Sequence, residues 1–245
     1  ADSCPRSADW MRSMSRHFRG DKSIVLGLST MMKEKGFLSG FLAFDYLFSN
    51  LKFISLALFH RPYMGDGRNL AYMKHYFNKG QGFSKYHFLT SGDDDLFINT
   101  IANKSNTAVE LSPDGVVETK INSFREYRQR KIDRGTSAHF FKHGPILFWR
   151  LEVLSRVAFY LLLIGCFIGR EFVFAIESLV PLVAVLLFLI RLAVQIVVWV
   201  KTNKRLQLGR ASLLSPIYDF VQPLFDFYFY VIRRFRMKKN YVTKL

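Results

Sequence analysis

The sequence predicts an α/β domain followed by α-helical membrane segments. Three observations predict it: strand-like and helix-like stretches alternate through the first 145 residues, two long apolar runs follow Pro145, and the charge balance changes along the chain. Half of the 245 residues are hydrophobic (50%), 25 of them Phe, and the formal net charge is +16. Residues 1–119 carry 14 basic and 12 acidic side chains, a net of +2, whereas residues 120–245 carry 21 and 7, a net of +14. A basic half suits nucleic acid or an anionic membrane surface. Here that half also holds the longest apolar runs, so membrane lipids are the expected partner and nucleic acid is not.

Ser23–Ser29 (SIVLGLS) is short, apolar and β-branched, and reads as a buried strand. Thr107–Ile121 has two strand-like runs around Pro-Asp-Gly and reads as a hairpin. Gly36–His60 is heavily apolar, but Asp45, Asn50 and Lys52 interrupt it and argue against a full span. A buried core helix and a helix lying in the membrane interface both fit. Leu96, Ile98, Ile101 and Ala102 fall near helical spacing directly after Asp93, Asp94 and Asp95. That places the acidic triplet at a strand-to-helix junction, where unpaired N–H groups and the helix dipole favour negative charge.

Leu151–Gly169 and Phe172–Val200 are each long enough to cross a hydrocarbon core of roughly 30 Å. Glu152 and Arg156 leave the first a purely apolar core of only Val157–Gly169, and Gly165–Gly169 (GCFIG) has the small-xxx-small spacing of close helix packing. Arg191 interrupts the second, and the expectation is a side chain that snorkels to the cytoplasmic surface. Basic residues precede the first run and follow the second, with only Arg170 and Glu171 between them. The positive-inside rule then puts both flanks in the cytoplasm. Leu213–Ile232 contains Asp219, Gln222, Pro223 and Asp226 and reads as an interfacial or re-entrant aromatic helix before a basic tail. The resulting division is residues 1–145, 146–200 and 201–245. Cys4 and Cys166 give neither a disulfide framework nor a ligand cluster, which suits a reducing compartment.

The candidate chemistry lies in four segments: Ala1–Ser3, Arg61–Tyr72 (RPYMGDGRNLAY), Thr90–Asn99 (TSGDDDLFIN) and Phe124–Arg134 (FREYRQRKIDR). Each has a plain explanation by itself. Gly65 and Gly67 serve a turn, and no Gly-Lys-Ser/Thr ending makes a P-loop. The acidic triplet caps a helix, and the basic run is a solvated or lipid-facing helix face. His139 and His143 stand four apart without a third ligand and read as an interfacial pair.

In this order and spacing, the segments resemble the membrane-bound family 2 glycosyltransferases of bacteria. The resemblance runs from the first residue to about Gly144 and into the two-span tail. It implies the carboxy-terminal part of an A-type, Rossmann-like glycosyltransferase domain at the inner membrane, with its catalytic part cytoplasmic. The implied reaction is an inverting, metal-assisted transfer from a nucleotide-sugar donor to a hydroxyl of a glycan or lipid-linked acceptor. Asp2 matches the second member of the family's Asp-x-Asp pair, which holds Mg²⁺ or Mn²⁺ on the donor diphosphate. Its other member would precede Ala1, so the chain is expected to be a piece of a longer enzyme, inactive by itself.

The triplet matches the segment that supplies the general base. An Asp-Leu match assigns that role to Asp93, the favoured assignment, and a Gly-Asp-Asp match assigns it to Asp94; Asp95 stays a candidate. Neighbouring carboxylates and burial raise such a group's pKa toward a useful range. Gly65, Asp66, Gly67, Arg68 and Asn69 match the stretch lining the sugar and acceptor site. Gln129, Arg130, Lys131 and Arg134 stand in place of a Gln-x-x-Arg-Trp element and depart from it, with Ile132 and Asp133 and no Trp. Positive charge against a leaving diphosphate survives, and the processive form of the motif does not. The competing reading is a non-catalytic membrane anchor whose basic half binds anionic lipids.

Overall fold

The structure, a computed structural model, describes residues 2–32, 36–79, 82, 92–121, 123–137, 140–141, 143–168, 179–207 and 214–242. The chain divides into two compact units, Ala1–Ile146 with Leu224–Leu245, and Leu147–Pro223. Its elements are β1 (Ser3–Pro5), α1 (Trp10–Ser15), β2 (Ile24–Leu26), β3 (Ser29–Met31), α2 (Phe37–Leu58), β4 (Leu70–Tyr72), α3 (Lys74–Lys79), α4 (Asp93–Ile101), β5 (Thr107–Val109), β6 (Val117–Thr119), α5 (Phe124–Ser137), α6 (His143–Ile168), α7 (Leu179–Leu206) and α8 (Ser215–Val242). The first unit is mixed α/β, as the alternation of its sequence predicts.

The apolar run at 23–29 forms not one strand but β2 and the start of β3, parted at Gly27 and Leu28. In one sheet, ordered β4-β2-β5, β2 pairs antiparallel with β4 and parallel with β5. In the other, ordered β1-β6-β3, β6 pairs antiparallel with β1 and parallel with β3. Ile24, Val25, Leu26 and Leu28 are each 0% exposed. Burial on both faces explains a continuous apolar run rather than an alternating one.

The expected hairpin at 107–121 does not form, because β5 and β6 belong to different sheets. Glu110 separates them. Its side chain is buried, accepting from Arg16 at 2.9 and 3.0 Å, from the Ser112 N–H at 2.5 Å and pairing with His17 at 2.9 Å. Arg16, His17 and the Ser112 N–H hold its carboxyl below the ordinary range despite the opposing effect of burial. The chain therefore folds around an ion pair at 110–115, where a hairpin would continue its ladder.

α2 covers the sheets, packing on β3 and β5. It is long and apolar enough to cross a membrane, yet 61% of its most apolar stretch is buried. That favours the core-helix alternative. Asp45 and Asn50, which interrupt its sequence, are 2% and 0% exposed. The Asn50 side chain donates to the Tyr46 carbonyl at 2.9 Å, and Asp45 accepts from Tyr127 and Lys131 of α5.

In the second unit, α6 covers the first predicted span as far as Ile168, and α7 the second from Leu179. Leu182–Leu206 is the other described helix long and apolar enough to cross a membrane, and none of its apolar stretch is buried (0%). The space beside Gly165 is open, so the close packing expected there is not formed at this residue. Gly169, Arg170, Glu171 and His139 lie outside the described residues.

Arg191 does not snorkel. It donates to Asp219 at 2.9 Å and lies 5.3 Å from the ring centres of Phe159 and Tyr160. The same carboxylate accepts from Arg156 at 2.9 Å, Tyr160 at 3.1 Å and Gln195 at 2.6 Å. Arg156, 1% exposed, also donates to Gln222 at 2.8 Å and pairs with Glu152 at 3.2 Å. One carboxylate on α8 thus holds two guanidinium groups from α6 and α7. Removing one partner of a buried ion pair costs about 3–5 kcal/mol. Asp219→Ala is expected to lower the thermal unfolding midpoint sharply in detergent, with Asp219→Asn intermediate because it keeps the acceptor oxygen.

Candidate functional site

Segment 61–69, the amino end of α4, and α2, α5 and α8 enclose a cavity of about 330 Å³ within the first unit. From α2, Asp45, Tyr46, Ser49 and Lys52 share one face at helical spacing and border it. α5 presents Tyr127, Arg130, Lys131 and Arg134 by the same periodicity, and α8 contributes Arg233. The loop over α4 is fixed by Asn99, whose amide donates to the Tyr63 carbonyl at 2.6 Å.

Asp93, Asp94 and Asp95 form the first turn of α4, so successive side chains point about 100° apart. Asp94 and Asp95 border the cavity, and Asp93 does not. The Asp94 carboxylate accepts the Gly67 N–H at 2.5 Å. Any side chain at 67 would occupy the position of that carboxylate, so glycine is required there for the close approach. Asp95, 3% exposed, lies 3.7 Å from Arg134 Nε. Asp66, also 3% exposed, accepts from the Tyr46 hydroxyl at 3.1 Å and from Arg68 Nη1 at 3.2 Å.

These neighbours separate the carboxyls electrostatically. Burial pushes Asp66 up, but Arg134, Arg68, the Arg68 N–H and Ser29 outweigh it and hold Asp66 below the ordinary carboxylate range. Burial and repulsion from Asp66 raise Asp94, against the pull of the Asp95 and Gly67 amides and Arg134. Burial raises Asp95 well above its usual value; Arg134 and Arg68 oppose this, and Asp94 and Asp66 add to it. Arg134, despite its own burial, is held in its charged form by Asp95 and Asp66. The cluster therefore keeps Asp66 ionised and leaves Asp94 a carboxylate with raised proton affinity at the cavity wall.

Other residues expected at the site have different places. Asn69 is fully buried (0%), donating to the Leu28 and Gly115 carbonyls at 2.8 Å and accepting from Trp10 Nε1 at 3.0 Å. It ties β-strand connections together rather than lining the cavity. Gly65 packs against Leu26, Leu70 and Ile98 of the core. Gln129 is exposed and does not line the cavity, donating at 2.7 and 2.9 Å to Asp133, which does. Arg68, Arg130, Lys131 and Arg134 do border it. Lys131 spans Asp45 and Asp226, the latter at 3.1 Å, which together with Tyr127 holds its ammonium charged against the effect of burial. Tyr63 and Tyr127 lie inside the marked segments without having been assigned a role, and Asp45, Tyr46 and Arg233 lie outside them; of these three, Asp45 left a trace, as a charge inside an apolar helix.

Asp2 reaches the cavity only through Arg130, 2.6 Å away. Burial pushes its carboxyl up, but Arg130, Ser3 and Arg68 outweigh it and hold Asp2 below the ordinary range. Among the described residues no group of three or more His, Cys, Asp or Glu side chains is placed to hold a metal ion. Asp2 is neutralised by a guanidinium instead, so these residues do not by themselves fit a cation site.

No protein-family model, curated protein or solved structure matches the chain.

Two outcomes are expected. Carbon-13 titration of the side-chain carboxyls should place Asp94 above and Asp2 below the ordinary value of about 3.9, with Asp2 moving up in Arg130→Ala. Asn69→Ala removes the side-chain partner of the buried Gly115 carbonyl and of the Trp10 indole N–H, each costing about 1–3 kcal/mol, while the Leu28 carbonyl keeps the Val117 N–H at 3.2 Å. Thermal unfolding should register that loss, while ligand affinity of the folded fraction stays unchanged.

Proposed function

We propose that the chain carries the acceptor-activating site of a membrane-bound, A-type family 2 glycosyltransferase that moves a sugar from a nucleotide-sugar donor to a hydroxyl of a glycan or lipid-linked acceptor. The observation that carries this reading is Asp94, a carboxylate with raised proton affinity on a cavity wall that also bears arginines. In the proposed step, Asp94 takes the proton of the acceptor hydroxyl as its oxygen bonds to the anomeric carbon. The bond from that carbon to the donor phosphate breaks, and its electron pair leaves with the nucleoside diphosphate, inverting the centre. Asp66, kept ionised, holds Arg68 and Arg134 in place by charge.

Buried Arg68 Nε and Arg130 Nη1 have no acceptor among the described residues. Such donors suit the oxygens of a departing diphosphate. The unburied apolar surface of Leu182–Leu206 and the basic flanks support a site on the cytoplasmic side of a membrane.

The test is turnover in membranes from cells expressing the full coding sequence. Asp94→Asn should lower it by about 10²-fold or more, with nucleotide-sugar binding retained, while Asp93→Asn changes it little. A base works deprotonated, so wild-type turnover should fall as pH drops through the raised pKa of Asp94. Full turnover in Asp94→Asn would sink the assignment. A lipid-binding anchor is the second reading, favoured by exposed Leu224, Phe227 and Phe235 beside exposed Arg234 on α8. It expects Asp94→Asn to be silent and changes in the basic tail to abolish function.

A further inference from the structure

Arg233 lies in the carboxy-terminal helix, outside every motif that marks the rest of the site. Its side chain nevertheless borders the cavity and packs over Gly135 of α5. A Cβ at position 135 would run into the Arg233 guanidinium and its Cδ. Glycine inside a helix is unfavourable relative to alanine, and no turn or unusual backbone angle calls for it here. What its missing side chain provides is room for a guanidinium against the α5 backbone, beside Arg134 and one turn beyond Lys131. Asp226 and Phe229, on the same face of α8, hold that helix to Lys131 and Tyr127.

The cavity around this guanidinium is short of negative charge. Its lining carries six cationic side chains and five aspartates. Burial raises the proton affinity of both Asp94 and Asp95. Two buried guanidinium donors, Arg68 Nε and Arg130 Nη1, have no acceptor among the described residues. A ligand with several anionic oxygens answers both deficits, and guanidinium forks match phosphate geometry two bonds at a time. We infer that Arg233 is a phosphate-binding residue of this cavity, holding a phosphate oxyanion of the substrate together with Arg68 and Arg130. The inference rests on reading the cavity as a substrate site. The phosphate belongs either to the nucleotide donor or to the headgroup of a lipid acceptor; the chemistry of recognition is the same.

The experiment takes the full chain in detergent, titrated with inorganic pyrophosphate by calorimetry, and in parallel measures flotation with phosphatidylcholine vesicles with and without phosphatidic acid. Arg233→Ala should weaken binding of at least one probe by about 10-fold or more. Gly135→Ala keeps the charge and favours the helix, yet should give a loss in the same direction by displacing the guanidinium. Arg12→Ala, an exposed cation on α1 away from the cavity lining, should leave the affected probe within about twofold. Loss for pyrophosphate assigns the phosphate to the donor, and loss confined to phosphatidic acid assigns it to a lipid headgroup. Arg233→Ala and Arg12→Ala behaving alike with both probes overturns the inference, as does wild-type protein that binds neither. The outcome is separable from the proposed reaction: Asp94→Asn can lose turnover while Arg233→Ala leaves phosphate affinity untouched, and then only the role of Arg233 falls.

Discussion

Asp66 and Asp95 are buried beside the half-buried Arg134, and the position of three chain segments depends on that. A carboxylate taken out of water without a partner costs several kcal/mol. Segment 61–69 and the first turn of α4 each bring a carboxylate that would be intolerable alone, and the last turn of α5 brings the guanidinium that answers them. Arg68 and Tyr46 complete the set from the rim. Mutual neutralisation is incomplete: buried Asp66 and Asp95, with half-buried Asp94, face Arg68 and Arg134, so Asp66 is held below the ordinary carboxylate range and Asp94 and Asp95 are raised above it. The separation of proton affinities that acid–base chemistry needs arises here from the same contacts that fix the backbone.

The α/β character of the first 145 residues and the positions of α2, α4, α6 and α7 followed from periodicity and the length of apolar runs, whereas the short α1 and α3 left no such signal. So did the position of the acidic triplet at a helix start, because three adjacent Asp before apolar residues at helical spacing have few other stable locations. What periodicity cannot supply is rotation. The resemblance favours Asp93 over Asp94 and Asp95, but the orientation of α4 sends Asp94 toward Gly67, Asp95 toward Arg134 and leaves Asp93 outside the cavity lining. Asn69 and Gln129 were assigned to the site by the resemblance of their segments, together with neighbours that do border it. Asn69, one position along from cavity-facing Arg68, turns into the core instead.

Long-range pairs were equally hidden. Arg191 interrupts an apolar run and, in isolation, is best placed at the membrane edge; its partner Asp219 lies 28 positions later in a different helix. The strand-like runs at 107–109 and 117–119 sit at hairpin spacing, but Glu110 finds Arg16 and His17 far upstream, and those contacts outcompete a local turn. Arg233 had no signal beyond membership of a basic tail. A glycine in the middle of the Arg-rich α5 was the one mark visible beforehand, and its meaning needed the coordinates.

The strand pairings have a consequence for how the chain is made. Ser3 is registered with Thr119, and Ile24 with Thr107. Apart from the ladder between β2 and β4, one sheet cannot close until translation has passed residue 109 and the other until it has passed residue 119. The 22-residue apolar α2 emerges long before the surfaces that cover it, and partners so distant in sequence assemble slowly. A nascent polypeptide of this kind requires shelter for α2 at the ribosome, from a chaperone or the insertion machinery, until its last strand arrives.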